Sequence, residues 1–356
     1  MNKSMWLAAL VGTWVGAWTA PAQAQLTPSK LYFGVGRPIA VLVQVPEGAS
    51  GDARIALYEP GAEQPRFAAP VAAGGADLAS LFPNLWKPGA EAPAGPGARP
   101  RLYYAQLEVG EVRVGPPVVL QPMVNPGSFM LYSFDVQKPY FVDPKTQQPS
   151  IDPRQGQVIH TPDSPIYSGL CAYVEQHAVF ETSLGEIEFR FRPEAAPNTV
   201  RNFVQLVAGG FYEGIEFHRV VAKSPAGQPF VIQVGDPTGT GSGGPGYSVD
   251  FEFSSVPHDF GVLSMARDTD PNTNGSQVFV CLSREGTQRL DGKYVSFGEA
   301  VRGAEVILAI GATPVNGDRP VEPPVLRQVR LVPAPPFGMG PGPLKRPEIK
   351  DVPTGR

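Results

Sequence analysis

Cysteine and histidine are scarce in this chain of 356 residues, with two of the former and four of the latter. Cys171 and Cys281 are too few for a disulfide framework and form no Cys-x-x-Cys redox motif. Cys281 lies in Val278-Phe279-Val280-Cys281-Leu282, which reads as a buried strand where a free thiol acts as a small hydrophobe. Cys171 reads as part of a loop-like approach to the second half of the chain, and whether the two are bonded is left open. His160, His177, His218 and His258 have no metal-ligand spacing. Charge is thin as well: 29 Lys and Arg stand against 33 Asp and Glu, a net charge of −4. Without a basic excess the chain offers no electrostatic footprint for nucleic acid and little pull towards anionic lipid. Gly239-Thr240-Gly241-Ser242-Gly243-Gly244 is not followed by Gly-Lys-Ser/Thr, which argues against a phosphate loop. Ser264 lies in no nucleophile motif.

Long apolar runs are missing too, apart from one at the N-terminus. Lys3 is followed by the mostly apolar Met5 to Ala20, and Ala22-Gln23-Ala24 fits a small-residue cleavage site before Gln25. That is the pattern of a signal peptide over 1–24, and the run falls short of the about twenty residues that span a bilayer. The expectation is an exported protein, periplasmic or secreted, without stable membrane insertion. No cysteine follows the site to take a lipid.

What the chain has in excess is glycine, 40, and proline, 41. This argues for many turns and short strands rather than a helical bundle. The length suits two domains, and 42% hydrophobic content can fill their cores. Residues 25–124 read as a β-rich domain. Ile39 to Val45, Arg54 to Tyr58, Arg101 to Val109 and Glu111 to Val114 are strand-like, with the Pro88–Pro100 stretch as a surface loop. A small sandwich, in pattern like the immunoglobulin fold, is one arrangement for them. Residues 125–172 carry repeated X-Pro pairs and read as an extended linker; their aromatic residues would also suit a docking strip. After Val332 the Pro/Gly/Lys mixture predicts a disordered tail over 333–356.

Between these, 173–332 opens with a hairpin signal in which Ile187, Phe189 and Phe191 alternate with charged residues. Pro197 then stands at a favoured first helical position, with Val200, Phe203, Val204 and Val207 on one face and Gly209-Gly210 as a stop. A second short helix is expected over 304–310. The most informative residues are Phe217-His218-Arg219, Phe230-Val231-Ile232-Gln233, Gly275-Ser276-Gln277-Val278-Phe279 and Leu290-Asp291-Gly292-Lys293. They spread one arginine, two glutamines and several apolar side chains over strand-like runs, the make-up of a shallow apolar pocket with a few polar groups aimed into it. No nucleophile–base pair or metal set accompanies them.

These segments, with Ala196 to Phe203, Gly235-Asp236, Gly241 to Gly244, Leu263 to Ala266, Pro271 to Gln277 and Val295 to Gly298, resemble the cyclophilin-type peptidyl-prolyl cis/trans isomerases in the family's own order. The resemblance covers somewhat under half the chain. It implies a mainly β fold, a closed eight-stranded antiparallel barrel capped by two helices, acting on proline bonds in unfolded or flexible polypeptides without a cofactor. It also implies Arg219 as the catalytic donor and Gln233 as its holder. Phe230, Val231, Phe279 and Leu290 become the proline socket, with Tyr294 beside it. Gly241, Ala266, Arg267 and Gln277 become the groove for residues before the proline. The sequence departs from the family at Val231 (usually methionine), Arg267 (often asparagine), Arg289 (often an aromatic residue favouring cyclosporin) and Tyr294 (commonly histidine). The loop Val221 to Pro229 is about six residues longer than usual. A weakly active or inactive module binding proline-containing segments is the alternative reading. The natural substrate and the oligomeric state are not legible.

Overall fold

The structure, a computed structural model, describes residues 25–86, 101–129, 141–142, 149–150 and 159–347. The expected signal peptide and the end of the tail lie outside these residues, as does the whole Pro88–Pro100 loop.

The first half contains strands β1 (Leu26–Pro28), β2 (Tyr32–Gly34), β3 (Ala40–Val43), β4 (Ala53–Tyr58), β5 (Phe67–Pro70) and β6 (Gly74–Asp77), then helix α1 (Leu78–Leu81), β7 (Tyr103–Val109) and β8 (Val112–Phe129). The short pair β9 (Phe141–Val142) and β10 (Pro149–Ser150) follows, then β11 (Ile159–Val174). A three-stranded sheet, β1-β3-β6, and a six-stranded sheet, β2-β11-β8-β7-β4-β5, share one apolar core. β3 alternates as a half-buried strand should, with Val41 and Val43 in the core and Ala40 and Leu42 outside. β7 does not alternate. Its second face packs a smaller cluster of Ala56, Tyr58, Leu102, Tyr104 and Val119, so residues on both sides of the strand are buried.

The linker expected over 125–172 is not a separate connection at its ends. β8 and β11 pair antiparallel from Ile159 opposite Phe129 to Val174 opposite Val118, so both belong to the six-stranded sheet. Pro162 and Pro165 lack a donor, and the ladder is interrupted between Thr161 and Ile166, where they fall. Irregular pairing therefore accommodates prolines that read as linker from sequence. Cys171 sits in this ladder, opposite Gln121 and Tyr32, rather than in a loop. Both thiols are buried and free. Burial pushes that of Cys171 up to about 11 and that of Cys281 higher still.

Only Glu175 separates β11 from β12 (Gln176–Thr182). β13 (Gly185–Phe191) completes the expected hairpin, and Ile187, Phe189 and Phe191 all point into the core. Helix α2 (Pro197–Ala208) buries Val200, Phe203 and Val207 on one face, as its spacing predicts. Its first free amides, on Asn198 and Thr199, donate to the Glu252 carboxylate at 3.0 and 2.8 Å, a cap supplied from 53–54 residues away. Then come β14 (Ile215–Glu216), β15 (Arg219–Val221), β16 (Val231–Val234), β17 (Val262–Met265), β18 (Val278–Cys281), α3 (Arg284–Thr287), β19 (Ser296–Arg302) and α4 (Ala304–Gly311). The pair β20 (Val315–Asn316) and β21 (Arg319–Pro320) precedes β22 (Val325–Pro333).

The second sheet has nine strands rather than eight, in the order β14-β22-β12-β13-β19-β17-β18-β16-β15, every pairing antiparallel. Its two edge strands, β14 and β15, follow each other along the chain with only Phe217 and His218 between them. The aromatic heart of the core is Phe180, Phe189, Phe191, Phe203, Tyr212 and Phe297, in mutual ring contact.

The segment expected to be disordered after Val332 is held against the rest of the chain at Ala334, Phe337 and Leu344. Phe337 lies 4.8 Å from the Tyr58 ring and 4.9 Å from that of Tyr104, its amide donates to Gln106 Oε1 at 2.8 Å, and its carbonyl accepts from Arg113. Further on, the Leu344 amide donates to the Ala300 carbonyl at 2.8 Å. Two apolar anchors and a handful of backbone bonds outweigh a composition that alone would predict a free chain.

Candidate active site

β15 and β16 pair so that Arg219 stands directly opposite Gln233. The lengthened loop between them folds into its own turn, with Ser224 N–H donating to Gln228 O and Gly227 N–H to Ser224 O, so the extra residues leave the strand register intact. A polar relay follows from that register. Arg219 Nη1 donates to Gln233 Oε1 at 3.1 Å, and Gln233 Nε2 donates to Gln277 Oε1 at 2.9 Å. Gln277 Nε2 then donates to the carbonyls of Gly241 and Gly243 at 3.0 and 2.9 Å. Each amide has its oxygen and nitrogen assigned by its neighbours, so the relay fixes the guanidinium in one orientation. Arg219 also pairs with Asp318 at 3.1 Å and keeps 40% of its side chain exposed, free to meet a ligand.

Beside the relay lies an apolar cluster containing Phe230, Val231, Phe279 and Leu290, against which Ala266 and Tyr294 pack. Val231 sits opposite Cys281 and Gln233 opposite Phe279, so β16 and β18 carry both relay and socket. The Tyr294 ring meets that of Phe279 edge-on at 5.7 Å. Arg289, exposed, lays its guanidinium 4.8 Å over the Phe230 ring. Arg267 lies 4.6 Å over Tyr294 and donates to the carbonyls of Lys293, Asp268 and Thr269. All eleven residues read from the sequence as site residues therefore fall on this one relay, socket and rim.

Sequence reasoning missed the layer beneath. His258 Nε2 lies 3.0 Å from Ser264 Oγ and Nδ1 lies 3.1 Å from Asp291 Oδ1. The connectivity is that of a nucleophile, base and orienting carboxylate, but Ser264 and His258 are wholly buried and the Phe279 ring stacks on the imidazole at 5.9 Å. No substrate carbonyl reaches Ser264, and the trio instead props the socket ring. Burial lowers the His258 pKa against the pull of Asp291, and Arg284 holds the Asp291 carboxyl well below its usual range. His218, in the tripeptide before the relay, is buried, makes no well-formed ring-nitrogen hydrogen bond among the described residues, and has its pKa lowered by burial too. It packs as a neutral ring rather than acting as a base.

Asp236 was the other omission. It is fully buried and accepts from the amides of Thr238 (2.7 Å) and Gly241 (2.6 Å) and from the Thr238 hydroxyl (2.8 Å), tying down the glycine-rich loop that Gln277 reads. Burial alone would raise its pKa, but these bonds win and hold it well below the ordinary 3.8. A Cβ on Gly243 would come within 2.0 Å of its Oδ1, so the loop must keep glycine there. Asp236→Ala is expected to cost about 1–3 kcal/mol, the usual penalty for orphaning buried donors, and to lower kcat/KM by loosening Gln277. A group with a depressed folded pKa stabilises fully above pH 3.8 and loses that contribution as pH falls. Urea titrations at pH 7 and pH 3 should therefore show a smaller gap between variant and parent at the lower pH. An equal gap at both would refute the assignment.

The family model described as cyclophilin type peptidyl-prolyl cis-trans isomerase/CLD matches residues 177–331, beginning two residues after Glu175. A peptidyl-prolyl cis-trans isomerase of Synechococcus elongatus is 43% identical over 142 residues, covering 40% of this chain and 90% of its own. One from Schizosaccharomyces pombe is 44% identical over 149 residues, with the same coverages. Among solved structures, a Cryptosporidium parvum cyclophilin, crystallised in the presence of the dipeptide Ala-Pro, is 32% identical, covers 44% of this chain and 99% of its own, and has a TM-score of 0.41. An identity above two residues in five, sustained across nine tenths of each curated relative, makes this chain a member of the cyclophilin-type peptidyl-prolyl cis-trans isomerases.

Proposed function

We propose that this isomerase is exported and speeds the folding of proline-containing polypeptides, with Arg219 as the group that acts on the prolyl bond. The observation that carries the reading is a half-exposed guanidinium, fixed by Gln233 at the lip of an apolar socket. An X-Pro bond crosses a barrier of about 18–20 kcal/mol because its C–N bond is partly double. As the bond twists, the prolyl nitrogen becomes pyramidal and regains a lone pair. A donor already aimed at that nitrogen favours the twisted state over the planar one, which lowers the barrier without covalent chemistry or a cofactor. Phe230, Val231, Phe279 and Leu290 take the proline ring. Ala266, Gln277 and Gly241 receive the residues before it.

Two architectural points belong to the same proposal. Counted as one interrupted strand, β14 and β15 turn the nine-stranded sheet into a closed eight-stranded barrel, with α2 and α4 as its caps. The chain divides at Glu175, with 25–174 forming the β-rich unit and the isomerase unit running on from 176. The signal-peptide pattern over 1–24 supports export.

Uncatalysed prolyl exchange takes tens to hundreds of seconds, so a test protein whose refolding is limited by that step should refold several-fold faster with catalytic amounts of this chain. Chain recovered from the periplasm should begin at Gln25. Turnover of a prolyl peptide without faster refolding would sink the folding role, and chain retaining Met1 in the cytoplasm would sink export.

A further inference from the structure

Two arginines stand over aromatic rings at the rim of the socket without a direct ion pair to a carboxylate among the described residues. Arg289 is exposed over Phe230 and, among the described residues, pairs with no carboxylate. Arg267 is held over Tyr294 by three backbone carbonyls, and its charge likewise has no carboxylate partner. Lys293, whose carbonyl accepts from Arg267, is also exposed. Asp291 pairs with Arg284 and His258, and Asp318 with Arg219, while the Asp268 and Asp270 carboxylates accept from the amides of Thr269 and Asn272 and keep their charge; among the described residues none of them forms an ion pair with Arg267 or Arg289. This cationic rim belongs to a protein whose net charge is −4.

We propose that the groove selects peptides bearing an aspartate or glutamate next to the proline, recognised by Arg267 and Arg289; the proposal rests on the isomerase reading of the same groove. Each guanidinium is stacked on the face of an aromatic ring at the socket, which places it over the ring a bound proline would touch and restricts its motion. Successive residues of an extended peptide are about 3.3–3.6 Å apart. A side chain one residue from a socketed proline is therefore within reach of either guanidinium. The Arg289 guanidinium, which makes no hydrogen bond among the described residues, offers a carboxylate two parallel donors, while Arg267, held by backbone carbonyls, adds mainly charge. Lysine at the same peptide position would meet like charge.

The test uses the full chain and proline tetrapeptides with Glu, Ala or Lys placed immediately before or after the proline. Both kcat/KM and, by fluorescence anisotropy, Kd are measured. The Glu peptide should exceed the Lys peptide about three- to tenfold on at least one side, as a few exposed charge contacts allow. The ratio should shrink towards unity in 1 M salt, where the screening length is about 3 Å. Arg289→Gln and Arg267→Gln should each reduce the ratio and together nearly abolish it, whatever they do to the Ala peptide. Equal handling of Glu and Lys peptides while the Ala peptide is turned over would overturn the proposal and leave the isomerase reading intact. A Glu-over-Lys order kept in binding with no turnover of any peptide would uphold the proposal and remove the isomerase reading. A ratio unchanged in the double variant would overturn the assignment to these arginines.

Discussion

Arg219→Ala is expected to lower kcat/KM on prolyl peptides by at least about tenfold, equivalent to about 1.4 kcal/mol of lost transition-state stabilisation. The effect should lie mainly in kcat, because a donor that meets the pyramidal nitrogen acts on the twisted state and little on the planar one. The fold should survive, since the Arg219 side chain is 40% exposed and the Gln233–Gln277–Gly241 bonds do not need it. Its partner Asp318 is half exposed and can return to water at small cost. Arg219→Lys should recover little, because a compact ammonium cannot hold Gln233 Oε1 and the prolyl nitrogen together as a planar fork can. Coupled-protease kinetics with circular dichroism check this. A native spectrum with unchanged kcat/KM would take Arg219 out of the catalytic role, and a parent without turnover would favour the alternative of a module that binds proline segments.

The grouping of the candidate site residues was legible because they sit on strands with short, recognisable sequences. Arg219, Gln233, Gln277 and Phe279 lie on or beside neighbouring strands, and strand register alone brings them together. The inward alternation of Ile187, Phe189 and Phe191 and the single face of α2 followed from period alone, because each meets one core. What failed did so where long-range pairing overrode local composition. β8 and β11 hold many prolines yet stay in a ladder through irregular pairing, and the tail is held by Phe337 slotted beside two tyrosines of a distant sheet. Ser264, His258 and Asp291 are separated by no motif spacing, so only the folded sheet shows that they prop Phe279. Asp236 was visible in a matching motif, but its work on the glycine-rich loop depends on amides that composition does not report.

Glu175 is where the largest pH effect on stability is expected. This residue alone joins the last strand of the six-stranded sheet to the first strand of the nine-stranded one. Its backbone is fixed on both sides, its amide donating to the Pro117 carbonyl at 2.9 Å and its carbonyl accepting from Ala334 at 3.1 Å. The main chain that carries the carboxyl is thus held at the joint. Burial there pushes its pKa up to about 8, the nearby Glu194 pushes in the same direction, and Arg190 only partly opposes them. Glu194 is itself engaged by the Tyr104 hydroxyl at 3.1 Å and by Arg192, so it stays close. In the folded chain Glu175 thus holds a proton at pH values where the unfolded chain has released it. A raised carboxyl pKa gives a contribution that is complete below the ordinary 4.5 and is lost as pH rises through about 8. The parent should accordingly lose stability between pH 5 and pH 8.5. Glu175→Gln, neutral at every pH, should remove most of that loss and stabilise the chain by about 1–3 kcal/mol at pH 8.5 while changing little at pH 5. Thermal unfolding across that range gives the answer, as a variant–parent gap in Tm that widens with pH by a few degrees. A gap that is constant, or largest at acid pH, would mean that the carboxyl at the joint is already ionised in the folded protein.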